Sequence, residues 1–325
     1  MIFVTPKFFM ITNDIDLICE SLKNGEIVGI PTETVYGLAA NIFNESAIKH
    51  IFSKKNRPLT NPLIVHVASI NDARQLVLEF PLKAELLARH FWPGPLTLIL
   101  PKSDLVNDVV TANNKSVAIR VPNHQTTLNL LEKLNFPIAA PSANPYNRIS
   151  PTCAEHVESY FPDINILEGG ECQSGVESTI LSFEENEVVL LRHGAIPIES
   201  IEGLIGRILN RTSGGAKVNA PGMNKKHYAP LCELILTYEP LFMLSAVKNK
   251  KVGILWFKKV GIHSPQVHVN KILAPSGSFE EASKNMYAHL HELEKQDLDL
   301  IIVERLPDHG LGRTLNDRLI RASYK

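Results

Sequence analysis

No stretch of this chain approaches the roughly 18 consecutive apolar residues of a membrane-spanning helix, although 44% of its 325 residues are hydrophobic. That leaves a soluble globular protein, long enough for one large domain or two ordinary ones, and two are expected. Cysteine is scarce. Cys19, Cys153, Cys172 and Cys232 are scattered without a Cys-x-x-Cys pair, which excludes a disulfide framework and a thiolate zinc site and fits free thiols in a reducing cytosol. Charge of one sign is also lacking: 33 Lys and Arg against 34 Asp and Glu leave a net charge of −1. No overall field draws the chain onto nucleic acid, so any contact with a polyanion must be local. The apolar start is broken by Pro6 and Lys7 with no small-residue cleavage site after it, so a cytoplasmic protein without a secretory signal is expected. Familiar phosphate cradles are absent too, with no G-x-x-x-x-G-K-[ST] and no G-x-G-x-x-G, and neither a G-x-S-x-G elbow nor an H-E-x-x-H helix occurs. A nucleotide, if bound, must be held by discrete side chains and loop amides.

What is present is a rhythm of short apolar runs and helical stripes. Strands are expected over 26–31, 63–67, 97–100, 117–121, 137–140, 165–167, 178–183 and 188–191. Helices are expected over 15–22, 45–53, 72–79, 83–91, 126–134, 152–160 and 199–209. Strands separated by helices argue an α/β sheet, and the adjacent pair near 178–191 reads as a hairpin, so the sheet should be mixed. Residues 211–230 break the rhythm with Gly, Pro and the basic Arg211, Lys217, Lys225 and Lys226, and read as a linker. A structureless loop of that length is usually functional or disordered. Beyond it, strands at 251–257 and 298–304 and helices at 279–296 and 313–323 read as a second, smaller α/β domain.

The most telling segment is 54–67, Lys-Lys-Asn-Arg-Pro-Leu-Thr-Asn-Pro-Leu-Ile-Val-His-Val. Ala47, Ile48, Ile51 and Phe52 make one buried helical stripe ahead of it. Pro58 pushes Arg57 toward extended geometry, so that Lys55 and Arg57, two apart, are expected to share a face. Two cations fixed there suit a polyphosphate or a carboxylate, while cations at a helix C-terminus also complement the helix dipole. Both readings stand on these residues alone. His66 sits in an apolar strand, where a histidine is more often a core residue than a functional one. Thr32, Thr34 and Tyr36 close the first strand, where open α/β sheets bind ligands. Arg120 lies in a strand of small and β-branched residues and needs a carboxylate, from a side chain or from a ligand. Ser142 and Asn144 follow another strand end as uncharged hydrogen-bonding groups, and Arg192 closes the hairpin. Ser178 has no recognisable base at a suggestive spacing. The set holds no protein nucleophile and suits charge stabilisation in phosphoryl or nucleotidyl transfer.

Taken in order, these segments resemble the threonylcarbamoyl-AMP synthase family in its longer, two-domain form. The matching pieces are Pro31-Thr-Glu-Thr-Val-Tyr-Gly-Leu, Lys55-Asn-Arg-Pro-x-x-Asn-Pro-Leu-Ile-Val-His, Phe91-Trp-Pro-Gly-Pro-Leu-Thr, Ala118-Ile-Arg-Val-Pro, Pro141-Ser-Ala-Asn, Ser150-Pro-Thr, Gly175-Val-Glu-Ser-Thr-Ile and Leu191-Arg-His-Gly. Ala220-Pro-Gly-Met-x-x-x-His-Tyr-Ala-Pro and Gly310-Leu-Gly-Arg-x-x-Asn-Asp-Arg match the longer form. The resemblance implies a YrdC-like twisted mixed sheet over 1–210, a linker and active-site lid over 211–230, and a Rossmann-like α/β domain over 231–325.

It further implies a nucleotidyltransferase that joins L-threonine, bicarbonate and ATP into threonylcarbamoyl-AMP and pyrophosphate for tRNA t6A modification. Lys55 and Arg57 would be catalytic. ATP would be held by these two with Asn61, Ser116, Ser142, Asn144, Ser150, Arg192 and Tyr228, the last reaching back from the lid. Thr34, His66, Arg120, Ala140 and Ser178 would form the threonine pocket, with Arg120 on the amino-acid carboxylate. Mg²⁺ would accompany ATP without a dedicated metal site, and no tightly bound organic cofactor is implied. The product would pass to the tRNA threonylcarbamoyl-transfer machinery, with at most a weak RNA contact and no membrane. One departure is Asn147, where many relatives place Gly; Asn tolerates left-handed geometry, so the loop to Ser150 should be accommodated. The rivals are a non-enzymatic RNA-binding module, against which the charge counts, and a hydrogenase-maturation carbamoyltransferase, which would need zinc-binding cysteines.

Overall fold

The computed structural model describes residues 10–184, 187–212, 225–259 and 264–324. Among these, strands β1 (Ile11–Thr12), β2 (Val28–Ile30), β3 (Gly37–Asn41), β4 (Ile64–His66), β5 (Leu96–Pro101), β6 (Ser116–Arg120), β7 (Ile138–Ala139), β8 (Asn165–Leu167), β9 (Thr179–Glu184), β10 (Glu187–Arg192) and β11 (Leu209–Asn210) join in one sheet. Its spatial order is β1-β8-β2-β3-β7-β4-β6-β5-β9-β10-β11. Pairing is mixed: β4 and β6 run parallel, β5 and β6 antiparallel, and β9 and β10 form the expected antiparallel hairpin. The remaining strands, β12 (Glu233–Thr237), β13 (Val252–Trp256), β14 (Val267–Ile272) and β15 (Leu300–Glu304), make a second, wholly parallel sheet in the order β12-β15-β13-β14.

The two faces of the large sheet differ. Successive strand side chains point to opposite faces, so in β6 Val117 and Ile119 enter the main core while Ser116, Ala118 and Arg120 share the other face. On that second face Ala118 meets Ile64, Ile99, Ile180, Val189 and Leu191 in a separate apolar strip. The strip runs toward His66 and Arg120, which pair in register at the carboxyl ends of β4 and β6.

Helix Glu45–Lys55 shows how sequence sets local geometry. Asn44 caps it, its side chain accepting from the Ala47 amide at 3.0 Å. Its buried stripe is Ala47, Ile48, Ile51, Phe52 and then Lys55, four residues after Ile51, so helical periodicity itself carries the lysine inward. Asn56 ends the helix at φ +53, a left-handed cap that Asn tolerates. Lys55 is therefore the last helical residue, and the extended Lys55 to Arg57 geometry expected from sequence does not form; a reversal at Asn56 brings the two cations together instead. The 72–79 helix forms at Ile70–Gln75 because Ser69 caps it earlier, and the 199–209 helix stops at Ile205 before Gly206 at φ +80. Strands β1, β3, β11, β12 and β14 fall outside the expected strands, and β11 begins where the 199–209 helix was expected to end.

The domains share a core. One apolar cluster draws Val35, Ile149 and Val176 from the first domain together with Met286, Leu290 and Leu315 from the second. Gly175, at φ +66, lies so close to the second domain that a Cβ there would sit 2.3 Å from the Ser283 carbonyl oxygen.

Candidate active site

Five loop ends meet at the carboxyl edge of β4 and β6. Thr34, Arg57, His66, Arg120, Ala140, Ser142, Ser178, Arg192 and Tyr228, all singled out from sequence, line one cavity of about 50 Å³. Lys55 lies behind its wall: almost fully buried, it donates to the carbonyls of Ser142, at 2.5 Å, and Asn144. Burial, with Arg57's charge added, holds the Lys55 pKa well below the usual lysine range. Arg57 is fixed by donating to the carbonyls of Asn61 at 3.1 Å and Pro62 at 2.8 Å, and burial beside Arg192 brings its pKa down to about 10. Arg192 sits on a β-bulge in β10, a device that re-aims a side chain. It donates to the Ser178 carbonyl at 2.9 Å and to the Ser178 hydroxyl at 3.0 Å.

Arg120 takes the first of the two carboxylates the sequence left open. Its carboxylate partner is Glu33, at 2.5 Å with both side chains buried, so the guanidinium needs no ligand carboxylate to be neutralised. It also donates to Thr34 Oγ1 at 2.9 Å. His66 beside it stays neutral, since burial and then Arg120's charge push its pKa down to about 3.

Four further residues from the sequence reading stand outside the cavity wall. Asn61 is buried, and its side-chain amide has no hydrogen-bond partner among the described residues. Asn144 donates to the carbonyls of Pro145 and Arg148. Ser150 donates to Glu177 Oε1 at 2.8 Å. Ser116 is not near Arg120: it opens β6, about 13 Å away at about 3.3 Å per residue, and lines a separate groove with Lys115 and Leu191. It shares the apolar strip's face, so the strip lies between it and the cavity. Asn147 does adopt left-handed geometry, φ +67, and its carbonyl accepts the Ala229 amide at 2.8 Å.

Residues 225–230 form a strap that contributes His227 and Tyr228 to the cavity wall; 213–224 of the expected lid lie outside the described residues. The strap is pinned from the second domain by the His227 amide donating to the Arg321 carbonyl at 3.2 Å. Tyr228, at φ +61, is buried with a hydroxyl lacking a partner among the described residues. Sequence reasoning missed Glu177 and His227 as cavity residues and Glu33 as the partner of Arg120. All three lie inside quoted motifs, and unpaired buried arginines were the signal that could have found the two glutamates.

Residues 20–194 match a family model described as telomere recombination, the Sua5, YciO and YrdC group, and 196–323 match one described as threonylcarbamoyl-AMP synthase, C-terminal domain. The chain is 41% identical to the threonylcarbamoyl-AMP synthase of Pyrococcus abyssi, over 93% of this chain and 92% of that protein. The chain belongs to the two-domain threonylcarbamoyl-AMP synthase family. A second relative, the threonylcarbamoyl-AMP synthase of Bacillus subtilis, is 39% identical over 93% of this chain and 90% of its own length. The crystal structure of P. abyssi Sua5 complexed with L-threonine superposes with a TM-score of 0.88 at 39% identity, covering 95% of this chain and 94% of that one.

Proposed function

We infer that the protein is an L-threonylcarbamoyladenylate synthase, a nucleotidyltransferase acting on L-threonine, bicarbonate or CO₂, and ATP in t6A biosynthesis. The observation that carries this is the convergence of Arg57 and Arg192 with Thr34, Arg120 and Ser178 around one cavity. Threonine would occupy the end lined by Thr34, His66, Arg120, Ala140 and Ser178. Because Glu33 already neutralises Arg120, Arg120 and Thr34 would meet the threonine carboxylate as hydrogen-bond donors held by that pair. The adenosine would lie along the apolar strip of Ile64, Ile99, Ala118 and Leu191 toward Ser116, with its phosphates at Arg57 and Arg192 and with Asn61, Ser142, Asn144, Ser150 and Tyr228 around them.

The threonine amine would add to CO₂, releasing a proton to water, to give a carbamate, whose oxygen would attack the α-phosphorus as pyrophosphate leaves. The fixed guanidinium groups stabilise the charge that accumulates on the phosphoryl oxygens, and a neutral His66 beside the threonine end adds no competing cation there. Lys55 would act from behind, by holding the 142–144 carbonyls, or by turning to the phosphates once they enter. Mg²⁺ would arrive with ATP. Glu177 in the cavity wall and Glu33 behind Arg120 are both ion-paired, so phosphates and water would supply its ligands.

The strap would lift to admit substrates and close to keep water from the adenylate. No helix among the described residues is long and apolar enough to cross a membrane, and a cytoplasmic site of action and delivery to the tRNA-modifying machinery complete the proposal. Pyrophosphate release from ATP should require threonine and bicarbonate together. Release indifferent to threonine would overturn this reading.

A further inference from the structure

The second domain reaches Glu177 in the cavity wall through two fully buried side chains, and Arg318 in helix Leu311–Ala322 makes the wider set of contacts. Its Nε donates to Glu177 Oε2 at 2.7 Å, its Nη2 donates to the His193 carbonyl at 2.6 Å, and its Nη1 pairs with Asp317 at 2.5 Å. Its guanidinium carbon lies 5.0 Å from the centre of the Tyr228 ring. These contacts fall on three different walls. Glu177 lines the cavity and accepts from the Ser150 hydroxyl, His193 follows Arg192, and Tyr228 belongs to the strap. Tyr287, also from the second domain, donates to Glu177 at 3.1 Å.

Glu177 is a carboxylate facing a cradle suited to polyphosphate. Burial alone would raise its pKa, but the charges of Arg318 and Arg192 and the hydrogen bonds from Arg318 and Ser150 hold it below the usual range, so it is ionised. Unbalanced, it would repel an entering phosphate. We propose that Arg318 is a positioning residue for the nucleotide: it neutralises Glu177 and fixes Ser150, the backbone beside Arg192 and the Tyr228 ring, so that the second domain completes the ATP site without touching ATP. The identity of the ligand rests on the proposed function; the role of Arg318 is tested separately.

The test is pyrophosphate release by the full chain with ATP and threonine varied in turn. Arg318→Met should raise KM for ATP at least tenfold and leave that for threonine within twofold of wild type. Adding Glu177→Gln should bring KM for ATP back to within threefold, because the uncompensated charge is gone. A purely structural arginine would lower melting temperature and kcat without this split or rescue, and either result overturns the proposal. If Arg318→Met does not fold, Glu177→Gln alone decides: KM for ATP should fall at least threefold, and an unchanged or raised value overturns the idea. Calorimetric titration with ATP keeps the two readings apart. A wild type that binds no ATP sinks the nucleotide reading, whereas a wild type that binds it no better than Arg318→Met sinks only the role of Arg318.

Discussion

Arginines in this molecule are held from several directions before any substrate arrives. Arg57 is gripped by two carbonyls, Arg192 by both oxygens of Ser178, and Arg120 by Glu33 and Thr34. Donors fixed in this way need no reorganisation when charge develops. Arg57→Ala should cut threonine-dependent pyrophosphate release by about 10²–10³ while leaving the far-ultraviolet circular dichroism spectrum unchanged. Arg120→Met has a different expected signature. It strands Glu33 as a buried, unpaired carboxylate, which costs about 3–5 kcal/mol, so urea unfolding should move to a much lower midpoint. Sequence alone made Arg57, Arg120 and Arg192 legible as candidates, because cations at strand ends are conspicuous. It left open which carboxylate Arg120 would meet, since Glu33 lies 87 positions away in the chain and only the pairing of distant strands brings them together.

At the scale of elements, the strap and the bulged hairpin do most to shape the cavity. A Cβ on Gly194 would sit 2.2 Å from the Thr179 amide, so the turn after β10 closes against the start of β9 only because no side chain intervenes. The strap stores strain instead: Tyr228 holds left-handed geometry that costs a non-glycine residue about 1–2 kcal/mol, and it buries a hydroxyl without a partner among the described residues. Tyr228→Phe removes a group whose burial is unfavourable. Its melting temperature should equal or exceed wild type, while KM for ATP rises severalfold; a loss of stability would mean that the hydroxyl is bonded in the closed protein. Alternating helices and strands were readable from periodicity, and the β9 and β10 hairpin was found in place. Strand β3, Gly-Leu-Ala-Ala-Asn, was not, because it lacks the β-branched and aromatic residues that mark strands and is held by neighbours on both sides. Sequence named Lys55 but missed its burial, which follows from its place on the helical stripe after Ile51, a position where a charged residue argued against counting it.

For the molecule as a whole, buried neutral histidines set an acid limit. His66 and His291 have pKa values pushed down to about 3, in both cases chiefly by burial, with Arg120 and His156 respectively adding to it. In the unfolded chain each takes up a proton near pH 6.5. Folded, neither does until pH 3 is approached. Stability is therefore full above about pH 6.5 and falls as acid is added through the window down to about pH 3. Between pH 7.5 and 5.5 the two together should cost about 3 kcal/mol, with His156, pushed down to about 4, adding in the same direction. Urea midpoints at the two values check this, and a His66→Gln variant should show a shallower dependence.

The apolar cluster that straddles both domains has its own consequence. Val35, in the cavity wall, and Val176, beside Glu177, share an apolar cluster with Met286, Leu290 and Leu315 across the boundary. Heating should thus give one calorimetric endotherm rather than two, and a gene fragment ending at Thr212 should yield a sticky, aggregating product instead of a smaller working enzyme.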